Sequence, residues 1–165
     1  MSDVPVLVAG GGPIGLAMAG ELRRRGVAFR AIERAARHTD LSKALVVWPR
    51  TLELLQLAGC ADNFTAVGRP THEAQLRANG RLVAEIGFSG IVTPYPYALF
   101  IPQSETERLL EEHLERLGGR LERTVELTSF EPGPDNVACT LSHADGRTER
   151  ITCDYLIACD GAHSV

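Results

Sequence analysis

Apolar and polar positions along the chain fall into short segments of changing period. Val4 to Ala9 is an apolar run of the length expected for a buried strand. Three glycines, Gly10, Gly11 and Gly12, end it. Pro13 then suits a first helical position, since its fixed φ is already helical and its missing N–H would have no partner there. The pattern predicts a helix from Pro13 to about Arg25, stopped by Gly26. A second apolar run, Val27 to Ile32, reads as another strand and delivers Glu33 to its carboxyl end. From Arg34 to Val47 no period is sustained, which predicts an irregular loop closing in a short extended run. Thr51 is placed to cap a short helix carrying Leu52 and Leu55 on one face and ending at Gly59.

The character then changes to β. Thr71 to Arg77 and Leu82 to Ile86 flank Asn79-Gly80, a strong short-range hairpin signal, and are predicted to pair as antiparallel strands. A proline-punctuated TPYPY leads into a further apolar run, Ala98 to Ile101. Residues 70–101 therefore read as an antiparallel excursion into a second layer, with Tyr95 and Tyr97 either lining a site or simply packing. Pro102 to Leu117 is predicted as a helix. Ser104 and Glu107 have capping-box spacing, Leu110, Leu114 and Leu117 share one face, and Gly118-Gly119 stops it. Leu121 to Phe130, Asn136 to Ser142 and Thr148 to Thr152, separated by Pro132-Gly133 and Asp145-Gly146, predict a three-stranded meander. A last buried strand, Tyr155 to Cys159, runs into Asp160-Gly161. The sum is an α/β fold of Rossmann-like type with a mixed sheet, a β-meander and an inserted antiparallel excursion.

The chemistry concentrates at the first turn. Gly10, Gly12 and Gly15 have the spacing GxGxxG between a strand and a helix. A helix N-terminus offers unpaired N–H groups and partial positive charge, and glycines let phosphates approach the backbone. Gly10 would make the tight turn, Gly12 would admit a pyrophosphate and Gly15 would let helix and strand pack closely. Glu33 stands about 20 residues further on, where the dinucleotide fingerprint expects an acid for ribose hydroxyls. A solvated charge at a strand end is the plainer reading of the same residue. Asp160 follows a strand of the same sheet, and open α/β sheets bind ligands outside their carboxyl strand ends. The first strand-helix-strand unit by itself does not separate FAD from NAD. An NAD-dependent dehydrogenase would continue with short alternating strands and helices, and the long interruption after Glu33 argues against one.

Composition narrows the alternatives. The chain has 165 residues, enough for one domain with a real core. A net charge of −4 gives no basic footprint for nucleic acid or an anionic membrane surface. The uncharged stretch from Val4 to Gly20 holds five glycines and a proline, lacks a basic leader and falls short of the ~20 apolar residues of a membrane span. Cys60, Cys139, Cys153 and Cys159 form no CxxC pair and have no histidine at metal-ligand spacing, so no metal is expected. Reduced thiols and a cytoplasmic location are the expectation.

Four segments together resemble the N-terminal FAD-binding part of the flavin-dependent aromatic hydroxylases, the p-hydroxybenzoate hydroxylase-like monooxygenases. They are GGGPIGL with Glu33-Arg34, KALVVWPRTLELL, IPQSETERLL and the terminal YLIACDGAHSV. The resemblance implies FAD as cofactor, with Gly10, Gly12, Pro13, Ile14 and Gly15 at its pyrophosphate and Glu33 and Arg34 at its adenosine ribose. It implies Gln103 near the ribityl and phosphate region, and Asp160 in an Asp-Gly turn associated with both FAD and NAD(P)H. Lys43 stands where many members carry arginine; it keeps the charge without the planar bidentate contact. The implied activity is NAD(P)H-dependent hydroxylation of a small, phenol-like aromatic substrate by molecular oxygen through a flavin hydroperoxide. The alternative is a nucleotide-binding module without turnover. Members of that family continue well beyond the Asp-Gly turn, so the resemblance implies that residues 1–165 are an FAD-binding domain incomplete at its C-terminus.

Overall fold

The computed structural model describes residues 2–38 and 44–161. Two compact units divide the chain: Met1–Asp40 with Glu107–Val165, and Leu41–Thr106.

In the first unit, strand β1 (Val4–Ala9) leads through the glycine turn into helix α1 (Pro13–Arg24) and on to strand β2 (Phe29–Glu33). Pro13 opens α1 as predicted, and Gly26 follows it with φ 71°, a left-handed conformation that costs glycine little. β1 lies between β2 and the last strand and is parallel to both. Side chains alternate across it. Leu7 and Ala9, with Ile32, join one apolar cluster, while Val6, Val8 and Ala31 are buried towards the opposite face, where α1 contributes Leu16 and Ala19.

The second unit contains strand β3 (Val46–Val47), helices α2 (Pro49–Ala58) and α3 (Ala61–Val67), and strand β4 (Arg69–Thr71). A hairpin of β5 (Glu73–Ala78) and β6 (Arg81–Gly87) and strand β7 (Ala98–Phe100) complete it. β7 pairs antiparallel with β3 and β4, and Leu52, Phe64 and Leu99 are fully buried. The hairpin forms as predicted around Asn79 (φ 50°) and Gly80 (φ 77°), the two positive φ values that a tight two-residue turn requires. Three details differ from the sequence reading. α2 starts at Pro49 with Trp48 as its N-cap residue, because proline supplies the first helical φ ahead of Thr51. α3 and β4 are not anticipated by the pattern: α3 is only seven residues, about two turns, of weak periodicity, and β4 is held by its pairing with β7. Tyr95 packs edge-on against Tyr97, which also meets His72, and burial raises both phenol pKa values.

Helix α4 (Gln103–Arg116) begins in the second unit and continues through the first. Ser104 is its second residue rather than the residue ahead of it, and Glu107 is buried, with its carboxylate 3.4 Å from His38 Nδ1. Beyond α4 two expectations are corrected. Leu121 to Phe130 is not one strand: Thr124 takes φ 61° and splits it into β8 (Leu121–Arg123), parallel to β2, and β9 (Val125–Pro132), antiparallel to β10 (Val137–His143). Conversely, the two predicted terminal strands are one, β11 (Thr148–Ala158). Its first half pairs antiparallel with β10 and its second half parallel with β1, changing partner at Cys153. The meander β9-β10-β11 thereby covers one face of the parallel strands, burying Val125, Leu127, Leu141 and Ile151 with Leu7, Ala9 and Ile32. Among the described residues no helix is long and apolar enough to cross a membrane, and no group of residues is arranged to hold a metal ion.

Candidate cofactor site

The carboxyl ends of β1, β2 and β11 meet at the glycine turn. Gly10 has φ 117°, and its N–H donates to the Ile32 carbonyl at 2.8 Å while the Cys159 N–H donates to the Ala9 carbonyl at 2.7 Å. A side chain at Gly10 would run into the Cys159 carbonyl and lie 2.7 Å from the Asp160 nitrogen; one at Gly15 would collide with the Gly10 carbonyl oxygen. These two glycines are required by the fold itself. Gly12 differs, because a Cβ there would meet nothing within 4 Å. The space in front of Gly12 is open, and Gly12 is also the N-cap residue of α1, with no side chain capping the helix.

That helix start is built to receive an anion. Pro13 is the first helical residue, and Ile14 beside it is 70 % exposed. The first intrahelical bond runs from the Leu16 N–H to the Gly12 carbonyl, so the N–H groups of Ile14 and Gly15 come ahead of the ladder. No acidic residue occupies the first turn to compete for the helix's positive end.

Glu33 lies at the rim of this turn. Its Oε2 accepts from the Gly11 N–H at 2.5 Å and its Oε1 from the Ala35 N–H at 2.8 Å. Each carboxylate oxygen keeps a second lone pair, so the group is fixed yet still able to accept from two adjacent hydroxyls. Arg34 points elsewhere, half-exposed and 3.8 Å from Glu126. Asp160 follows β11 on the other side of Gly10, and its Oδ1 is buried with no hydrogen-bond partner among the described residues. A buried acceptor left unpaired costs about 1–3 kcal/mol, and a ligand hydroxyl placed there would relieve that cost.

Of the residues singled out in the sequence, Gly10, Gly12, Pro13, Ile14, Gly15, Glu33 and Asp160 are brought to one end of the sheet, with Arg34 next to them in sequence. Gln103 opens α4 within the second unit. Lys43 lies outside the described residues. One group escaped the sequence reading: His38, Glu107, Glu111 and Arg123 meet beside β2 and β8. The only sequence signal for it was the helical spacing of Glu107 and Glu111, which does not reveal a partner.

A parallel strand-turn-helix-strand with an open glycine N-cap, an acid at the second strand end and an unpaired aspartate after a third strand defines a dinucleotide-binding domain. The comparison with known families agrees and narrows it: the model of the FAD binding domain matches residues 3–165, and the chain belongs to that family. It is 40 % identical over 161 residues to 6-methylpretetramide 4-monooxygenase of Streptomyces rimosus, covering 96 % of this chain and 29 % of that enzyme. It is 36 % identical over 166 residues to an uncharacterised aromatic compound monooxygenase of Bacillus subtilis, covering 99 % and 32 %. Among solved structures, p-nitrophenol 4-monooxygenase from Pseudomonas putida superposes with a TM-score of 0.90 at 26 % identity, covering 98 % of this chain and 42 % of that one. The flavin-dependent monooxygenase PieE, solved with FAD and substrate, gives 0.87 at 30 %, covering 99 % and 31 %. The chain thus spans about a third of the length of the curated relatives it matches.

Proposed function

We propose that this chain is the FAD-binding portion of an NAD(P)H-dependent monooxygenase that hydroxylates an aromatic, phenol-like ring with molecular oxygen. The observation that carries the reading is the open Gly12 position at a glycine turn whose Gly10 packs against Asp160, the buried Oδ1 of which has no partner among the described residues. An aromatic substrate is supported by the relatives, whose names are those of monooxygenases of 6-methylpretetramide, of anhydrotetracycline and of an aromatic compound. Four free cysteines support a reducing, cytoplasmic setting.

In this reading the chain's residues bind and orient. Gly10 and Gly15 hold the turn in shape, Gly12 leaves room for the pyrophosphate, and the N–H groups at Ile14 and Gly15 behind Pro13 meet its oxygens. Glu33 accepts from the adenosine ribose hydroxyls, with Arg34 at the outer edge of that end. Asp160 accepts from a hydroxyl of the bound group, which gives its buried oxygen the donor it lacks. Gln103 and Lys43 are further cofactor contacts on this view, resting on the family resemblance. The bound flavin would supply the redox chemistry, taking a hydride from NAD(P)H and passing one atom of oxygen to the ring, while the protein excludes water.

The test is spectroscopic. Purified chain mixed with FAD should quench flavin fluorescence and carry a yellow chromophore through gel filtration. NAD(P)H oxidation stimulated by phenols is the readout of turnover. Colourless protein with no affinity for FAD or ADP would overturn the proposal.

A further inference from the structure

Two segments flank Glu33, and both are tied to one side chain on α4. The first is strand β8, the edge of its sheet and only three residues long. Its pairing with β2 ends at Arg123 opposite Glu33, and the next residue, Thr124, leaves the strand with φ 61°. A positive φ at a β-branched residue is held only where the surroundings impose it. The second is the loop after β2, which reaches His38 five positions beyond Glu33.

Both converge on Glu111. Arg123 Nη2 donates to Glu111 Oε2 at 2.6 Å, and His38 Nε2 lies 2.7 Å from the same oxygen. Arg123 Nη2 is also 3.2 Å from His38 Nε2, and His38 Nδ1 is 3.4 Å from Glu107 Oε2. Side-chain exposure is 17 % for Glu111 and 19 % for Arg123, so water screens this pairing only partly. A three-residue edge strand has few ladder bonds, and a charge-assisted bond to a helix supplies the anchor that the ladder lacks.

We propose that Glu111, acting through Arg123 and His38, is a positioning residue for Glu33, holding β8 and the post-β2 loop so that the Glu33 carboxylate stays aimed at a nucleotide ribose. It rests on the nucleotide-binding reading above. Glu111 does not touch the ligand; it fixes the two neighbours between which Glu33 stands. The alternative role, a staple of stability alone, makes a different forecast.

The experiment is a double-mutant cycle read with two ligands, ADP and its 2′,3′-dideoxy analogue, by calorimetry on the full chain. Glu111→Gln is expected to weaken ADP about tenfold, leave the dideoxy analogue within twofold, and add nothing in a Glu33→Gln background. Equal losses for both ligands, equal losses in both backgrounds, or unchanged ADP affinity would each overturn the proposal. Should Glu111→Gln fail to fold, Arg123→Met is read in the same cycle, and Arg123→Lys, which keeps the cation, should recover part of the ADP affinity. Failure of the unaltered chain to bind ADP or FAD would instead remove the nucleotide reading on which the proposal rests.

Discussion

Glu149 lies near the start of β11 and Asp160 just past its end, and the fold treats them in opposite ways. Glu149 accepts from Arg30 Nη1 at 2.8 Å and Nη2 at 3.0 Å, and from the His143 ring at 2.7 Å. The Arg30 guanidinium, with His143, holds its carboxyl well below the usual range, at about 2. Arg30 in turn reaches Glu122 on β8, so β2, β8 and the meander are joined by one paired network. Asp160, by contrast, has a buried oxygen with no partner among the described residues. The carboxylate that ties strands together is satisfied within the chain, whereas the one past the carboxyl end of β11 has an oxygen unpaired among the described residues.

The sharpest way to break that contrast is at the turn. Gly10→Ala forces a side chain into the Cys159 carbonyl at φ 117° and should cost several kcal/mol, about 3 or more, seen as loss of cooperative unfolding. Gly12→Ala meets no atom within 4 Å, so its melting temperature should stay close to the parent's while FAD affinity falls tenfold or more. Equal damage from both would mean that the turn is structural throughout. Next in size, Arg30→Met should destabilise the chain by about 2–3 kcal/mol in denaturant titrations, because it strands two partly buried carboxylates. Asp160→Ala should act in reverse, leaving apo stability unchanged or raising it by about 1 kcal/mol while weakening FAD binding.

The smallest effect is a matter of pH. Glu149 has its pKa depressed from 4.5 to about 2, so its contribution is complete above 4.5 and fades as pH falls from there towards 2. The parent should therefore lose stability across that window more steeply than Glu149→Gln, as followed by urea midpoints. Parallel curves for the two proteins would deny the network its role.

Much of this was legible from residue order. Val4–Ala9, the glycines, Pro13 and Glu33 form a local signal, since a strand, a turn that needs glycine and a helix start depend on neighbours a few residues apart. Asn79-Gly80 is local in the same sense. The misreadings share a different cause. The break at Thr124 is imposed by β8 and β9 pairing with different strands, and no turn residue announces it. The fusion of Thr148–Thr152 with Tyr155–Cys159 comes from two different partners taken in succession, and the intervening Cys153-Asp154 gave no reason to predict continuity. At the site, the types of Glu33 and Asp160 were readable from their strand ends, but the double backbone tie of one and the missing partner of the other are products of packing. The Glu111 cluster joins residues more than 70 positions apart and had no local trace.

The partner change within β11 also bears on how the chain is made. Val4 pairs with Cys153, and Asp3 bonds the Thr152 backbone across a separation of 149 residues. On a ribosome the glycine turn leaves the tunnel early, yet the strand that walls it on one side is among the last of these residues to be synthesised. At about 5–20 residues per second, β1 waits on the order of ten seconds or more with its β11 edge unpaired. During that interval β2 is the neighbour available to it, and the nascent turn can present Glu33 long before it has Asp160. On the nucleotide-binding reading, capture therefore waits for the arrival of a single strand, β11.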